Sequence, residues 1–222
     1  VAAKGGHNAE SHNHNDIGSF IIFRNGAPLI VDAGVGEYTR QTFGPERYTI
    51  WTMRSSFHSL LPTLDGVEQQ AGRTFRARDP EYEADDQRMC FALDLREAYP
   101  PEAHIGAWRR EIDLRRGDCV TVTDNYTLTG DVGEIAMLLL TPSTPTLEAD
   151  GSISLKSCML PEALASADGT IAIEAEGAEV TLGEIAIDDS RLSPVWGKRL
   201  HTIRIVLRQP ARTGRLRFTF RP

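Results

Sequence analysis

The sequence is poor in the features that would assign it quickly. It has only three cysteines, Cys90, Cys119 and Cys158, odd in number and far apart, so no disulfide framework is expected and one pair at most can form. No apolar run approaches the roughly 20 residues that a membrane-crossing helix needs; the longest, IAMLLL at 135–140, has the length of a strand. Basic residues are not in excess: 24 Lys and Arg stand against 31 Asp and Glu, for a net charge of −7. That balance argues against a nucleic-acid surface, though a polyanionic ligand needs only a local cluster of Arg and Lys. An initiator methionine and a signal peptide are also missing, and polar Lys4-Gly5-Gly6-His7 follows Val1 at once. The chain therefore reads as a fragment, with any export signal ahead of Val1.

What is present is a run of strands. In GSFIIFRNGAPLIVDAG, two apolar stretches flank Asn25-Gly26, the dipeptide suited to a type I′ hairpin turn. Across a two-residue turn Arg24 faces Ala27, so paired numbers sum to 51 and Asp32 is expected opposite Ser19. Pro28 needs a position that donates no ladder hydrogen bond. Further strands are expected in SLLPTLDG, RMCFALDL, AWRREIDL, CVTVTDNYTL, EIAMLLLT, SISLKS, TIAIEA, LHTIRIVL and RLRFTF. Arg116-Gly117-Asp118, Asp150-Gly151, Asp168-Gly169 and Gly214 read as turns between them. Trp108, Arg110, Ile112 and Leu114 alternate with Arg109, Glu111 and Asp113, as on a half-buried strand. With no helix, no βαβ rhythm and no repeat, the expectation is an all-β, antiparallel two-sheet sandwich forming one domain over 1–222.

The connection from Gly34 to Ser59 differs, since it is long, does not alternate, and carries Tyr38, Arg40, Arg47, Tyr48, Trp51 and Arg54. Arginine beside aromatic rings suits an anionic sugar, offering charge for a carboxylate and a flat face for the ring. The same residues would equally pin a long loop to the sandwich.

Four of six histidines fall within the first 58 residues. His12 and His14, in SHNHND, would share a face in an extended strand or converge in a loop. His14, Asp32 and His58 make a plausible zinc set of two imidazoles and a carboxylate. A straight chain would leave His14 about 17 Å from the expected Ser19–Asp32 pair at ~3.3 Å per residue. The chain must curl back, and Asn15-Asp16 with Gly18 permit it. His7 reads as loop, and His104 and His201 as structural residues.

KGGHNAESHNHNDIGSFIIFRNGAPLIVDAGVGEY followed by SSFHSLLPTLDGVEQQ resembles the opening of the C-terminal β-sandwich domain of heparinase II/III-like polysaccharide lyases. The shared pattern is Gly-Gly-His, His-x-His-x-Asp-x-Gly-Ser-Phe, a hairpin ending in Val-Asp-x-Gly, then Ser-x-x-His before a strand and Asp-Gly. The match covers roughly Lys4 to Gln70. Ser59 departs from it, standing where the family has Asn. The resemblance implies β-elimination at a uronic acid of an acidic polysaccharide, heparin- or alginate-like, and an (α/α) toroid domain that precedes the sandwich and lies outside this chain. It implies that His12 is the sandwich's catalytic histidine and that His14, Asp32 and His58 hold a structural zinc ion. Asp16 would accept hydrogen bonds that hold the turn or orient a ligand imidazole. Arg40, Arg47, Tyr48, Trp51 and Arg54 would bind substrate. Family habit places such enzymes in the periplasm or outside the cell, without nucleic-acid or membrane partners.

Two other readings use the same residues. A metallo-β-lactamase-like hydrolase begins its site with His-x-His-x-Asp, but follows the Asp with His, where Ile17 stands here; a cupin would add a nearby Glu. A carbohydrate-binding sandwich without catalysis would keep the metal as a purely structural group.

Overall fold

The computed structural model describes residues 1–222. Its larger layer is an eight-stranded antiparallel sheet. From edge to edge its strands are Thr144–Leu147, Ile153–Lys156, Gly169–Glu174, Thr213–Arg221, Cys119–Leu128, Ile105–Arg115, Arg88–Asp94 and Arg78–Ala84. The opposing layer centres on a four-stranded sheet of Ala178–Ala186, Arg199–Arg208, Glu134–Thr141 and Thr63–Leu64. The hairpin of Phe20–Arg24 and Ala27–Ile30 extends this layer, because Val31 bridges to Leu140 beyond the hairpin's end. The fold is thus all-β and antiparallel. One four-residue helix, Ser193–Trp196, and seven 3-10 turns complete it.

Alternation explains why the layers meet. Trp108, Ile112, Val122, Phe218 and Phe220 from the large sheet and Ile135, Leu139, Ile203 and Ile205 from the small one share a core of 34 buried residues. Each such side chain leaving water stabilises the fold by about 1.5–3 kcal/mol before chain entropy is counted. Arg110 falls on the same inward face through the same alternation, and is wholly buried.

The hairpin turn forms at Asn25-Gly26, with Arg24 opposite Ala27 and Phe23 opposite Pro28. The register then slips, and Ile22 faces Ile30. The expected Ser19–Asp32 pairing is therefore corrected: a bulge at Leu29 offsets the second strand by one residue. Six strands were not legible in the sequence: the two-residue Ala2–Ala3 and His7–Asn8, and Gly72–Arg76, Arg78–Ala84, Thr144–Leu147 and Ala178–Ala186. All of these lie at sheet edges, where both faces can be polar; Arg78–Ala84 is exposed throughout and carries Pro80 at a register irregularity, the usual device for blunting an edge. SLLPTLDG in contrast yields only Thr63–Leu64, since Leu60 takes a positive φ of 54° and Pro62 cannot donate to a ladder. Gly214 does not mark a turn but lies inside Thr213–Arg221, where a Cβ would meet the Tyr126 hydroxyl at 2.4 Å.

Candidate metal centre and exposed histidine

Three separate segments deliver the candidate ligands. Asp32 follows the Val31–Leu140 bridge, which fixes the chain leaving the hairpin. The Gly34 N–H donates back to Asp32 Oδ1 at 2.7 Å, a local turn that aspartate favours. His58 follows the 3-10 turn Ser55–Phe57. His14 sits in a loop that does curl back: the Asn15 N–H donates to Met53 O at 3.1 Å, Gly18 N–H to Lys4 O at 2.8 Å and Ser19 N–H to Asp16 O at 3.0 Å. Gly18 at φ 87° is needed there, since a Cβ would lie 2.6 Å from Leu95 Cδ2.

One donor atom from each of His14, Asp32 and His58 lies within 4.8 Å of the other two. The imidazoles are 5.2 Å apart between centroids, and His58 Nδ1 is hydrogen-bonded to Asp32 Oδ2. Burial opposes ionisation of Asp32, but the charge and hydrogen bond of His58 outweigh it and hold the carboxyl at about 2, below its usual 3.8. Burial would lower His58, yet its contact with Asp32 raises it. Burial, aided by the neighbouring His58, lowers His14. His14 Nε2 and His58 Nε2 are both buried without a hydrogen-bond partner. Two orphaned nitrogens are costly in a fold that satisfies most buried polar groups, and a cation would satisfy them. Two nitrogens and an anionic oxygen are a donor set that fits zinc.

His12 is not in this group. It is exposed, at φ 58°, a left-handed conformation that histidine enters more readily than most residues. That backbone turn separates the two histidines instead of making them converge: His14 points inward, while the His12 ring sits edge-on to Tyr38 at 6.0 Å and Phe43 at 6.2 Å. Tyr38 and Phe43 stack at 5.5 Å, and the Arg191 guanidinium lies over Tyr38 at 5.1 Å. Phe43 and Arg191 drew no attention in the sequence, because only tertiary structure brings residue 191 to residue 38. Asp16 binds no imidazole; its carboxylate pairs with Lys4 and ties the first residues to the loop.

The five expected substrate residues separate. Arg40 is exposed, and Tyr48 and Arg54 line an open cleft of about 870 Å3 that Asn15 also lines. Arg54 is nevertheless paired with Glu68. The Arg47 guanidinium donates to the carbonyls of Asn13 and of Thr42, the latter at 2.8 Å, so it braces the histidine loop. Trp51 packs edge-on to Phe57 at 5.4 Å and against a second, smaller apolar cluster. For Arg47, Arg54 and Trp51 the geometry is that of a pinned loop. His7, expected in a loop, begins a two-residue strand paired with Gly72–Arg76.

Beneath the centre lies a buried ion pair. Arg110 Nε donates to Asp124 Oδ1 at 2.8 Å, and the same guanidinium donates to Gly18 O at 2.9 Å, Leu60 O at 2.7 Å and Ser59 O at 3.4 Å. One side chain of the large sheet thus holds both histidine-bearing segments.

With this geometry in place, comparison with known proteins is direct. A family model described as heparinase II/III-like, C-terminal, matches residues 1–219. The chain belongs to this family. Among solved structures, the heparan sulfate lyase HepC from Pedobacter heparinus superposes with a TM-score of 0.73 at 17% identity, covering 99% of this chain and 32% of that one. A heparinase III with methylated lysines gives 0.74 at 14% identity, with the same coverages, and a further heparinase III gives 0.64 at 16%, covering 96% and 30%. At these identities the superpositions establish the shared fold, and the chain spans about a third of each heparinase. No curated protein sequence matches significantly. No helix is long and apolar enough to cross a membrane.

Proposed function

We propose that this heparinase II/III-like domain is the C-terminal part of a polysaccharide lyase that cleaves an acidic, uronic-acid-containing polysaccharide by β-elimination. The observation that carries the reading is the division of SHNHND: His14 is buried and gathered with half-buried Asp32 and buried His58, while His12, two residues away, is exposed beside aromatic rings. In such a reaction a base removes the proton at C5, the electron pair forms the C4–C5 double bond, and the C4 oxygen leaves and is protonated. Negative charge grows on the uronate carboxylate as the proton departs, so hydrogen-bond donors and cations at that group lower the barrier. His12 meets the substrate, as an imidazole able to donate or accept near neutrality. Phe43, the more exposed ring of the stacked pair, offers a face for a sugar ring, and Arg40 and Arg191 supply positive charge. The remaining acid–base groups come from a preceding toroidal domain. The acidic polymer would be met in the periplasm or outside the cell.

His14, Asp32 and His58 would hold zinc. Bound there, the ion supplies a fixed anchor for the loop and no activated water. Its service to His12 is positional, since a group two residues from a fixed ligand has little freedom to wander.

X-ray absorption at the zinc edge of the purified protein tests the site. Two imidazoles with oxygen ligands are expected. Three would place His12 on the metal and shift the reading to hydrolase or cupin chemistry; absence of zinc would remove the metal from the proposal. In the full-length enzyme, His12→Ala should abolish the ultraviolet absorbance of the unsaturated uronate product while leaving zinc content unchanged. Retained activity would overturn the role of His12.

A further inference from the structure

Gln69 is 2% exposed and has no part in the chemistry above. Its side chain pairs with Ile17 as a strand would: the Ile17 N–H donates to Oε1 at 3.1 Å, and Nε2 donates to Ile17 O at 2.8 Å. The Asn8 amide also donates to Oε1 at 3.1 Å. The Gln69 main chain works on both sides. Its N–H donates to Ser55 Oγ at 3.0 Å, and its carbonyl accepts from Asn15 Nδ2 at 3.2 Å. Asn15 and Ile17 follow His14 on the loop, and Ser55, wholly buried, accepts the His58 N–H on its own carbonyl at 3.1 Å. The preceding residue, Glu68, reinforces the grip by pairing with Arg54.

We propose that Gln69 is a positioning residue that clamps the His14 loop to the His58 turn, setting the separation of the two imidazoles before metal arrives and hence where His12 stands. A primary amide presents an acceptor and a donor side by side, matched to the N–H and C=O of one residue. Ile17 is wholly buried, so its N–H and C=O have no water to turn to when that amide is lost. Glutamate keeps the shape but cannot donate when ionised, and methionine keeps the length without either function. The clamp stands on hydrogen bonds alone; its effect on metal rests on the zinc reading.

The test compares the full chain with Gln69→Glu, Gln69→Met and a control remote in sequence from both segments, Ile205→Val, which trims a buried core residue. Zinc affinity is read by chelator competition, and amide hydrogen exchange is followed in metal-free protein over 13–19, 55–60 and 203–207. Zinc binding about 10–100-fold weaker than in the control, the range for lost supporting hydrogen bonds, is expected. Faster exchange should accompany it in both histidine segments and not in 203–207. Control-like affinity and unchanged exchange would overturn the proposal. If the unsubstituted chain binds no zinc but the Gln69 variants still lose protection in both segments, the metal reading fails and the clamp stands. If neither Gln69 variant folds, Ser55→Ala removes one of its bonds alone; control-like zinc affinity and exchange there would overturn the clamp.

Discussion

At the scale of single residues, the Asp32–His58 contact makes a signed prediction for metal-free protein. Asp32 is depressed to about 2 from 3.8, so its contribution is present above pH 3.8 and is lost as pH falls toward 2. A shift of that size corresponds to about 2 kcal/mol. His58 is raised, so its contribution is full below about 6.5 and is lost as pH rises through its elevated value. The stability difference between the chelated protein and Asp32→Asn, from urea unfolding, should therefore peak at about pH 5 and shrink on both sides. A flat difference from pH 2.5 to 8 would remove the pair from the account. Arginines divide by their partners: Arg47→Ala should loosen the histidine loop because two carbonyls lose their donor. Arg40→Ala, at an exposed residue, should leave the urea midpoint unchanged while weakening retention on immobilised heparin. The opposite ranking would return Arg47 to the substrate.

At the scale of elements, polar edge strands and one glycine show where local signals mislead. Gly214 lies opposite Tyr126 in the pairing of Cys119–Leu128 with Thr213–Arg221, and the Tyr126 ring covers it while stacking on Trp108 at 5.1 Å. Gly214→Ala should displace that stack and lower stability by about 1–3 kcal/mol, as overpacking does, measured as a reduced urea midpoint. A midpoint equal to that of the unsubstituted protein would mean that the ring moves aside freely. A turn glycine with open space around it, such as Gly117, lacks that steric contact. The hairpin bulge is another element-scale effect: Asn25-Gly26 dictates the turn, but the residue facing Ile22 depends on Val31 finding Leu140 outside the hairpin.

At the scale of the whole molecule, Arg110–Asp124 links the large sheet to the site. Asp124→Ala leaves a buried guanidinium uncompensated and should lower stability by about 3–5 kcal/mol. Replacing both residues, as Arg110→Met with Asp124→Leu, removes the charge but leaves the Gly18, Ser59 and Leu60 carbonyls without their donor, so recovery should be partial and zinc affinity should stay low. Full recovery of both quantities would reduce the pair to a replaceable piece of core. On the proposed division of labour, the domain by itself would carry one of the acid–base groups the elimination needs. It should therefore show no substantial turnover of heparin, heparan sulfate or alginate, and product formation by this chain alone would overturn the division of labour.

The amino-acid order alone determined the all-β class, the hairpin turn and most strand positions, because alternation and turn chemistry act between near neighbours. It also carried the His-x-His pattern, the Val-Asp-x-Gly strand end and the later histidine, which were enough to name the three candidate ligands. Other features became visible only in three dimensions: the slip that places Asp32, the left-handed turn that parts His12 from His14, the commitment of Arg47 and Arg54 to internal partners, and the grips of Gln69 and Arg110. Each depends on which distant backbone groups are left unpaired when the two layers close, and that quantity is set by the packing of the whole chain rather than by any local stretch of it.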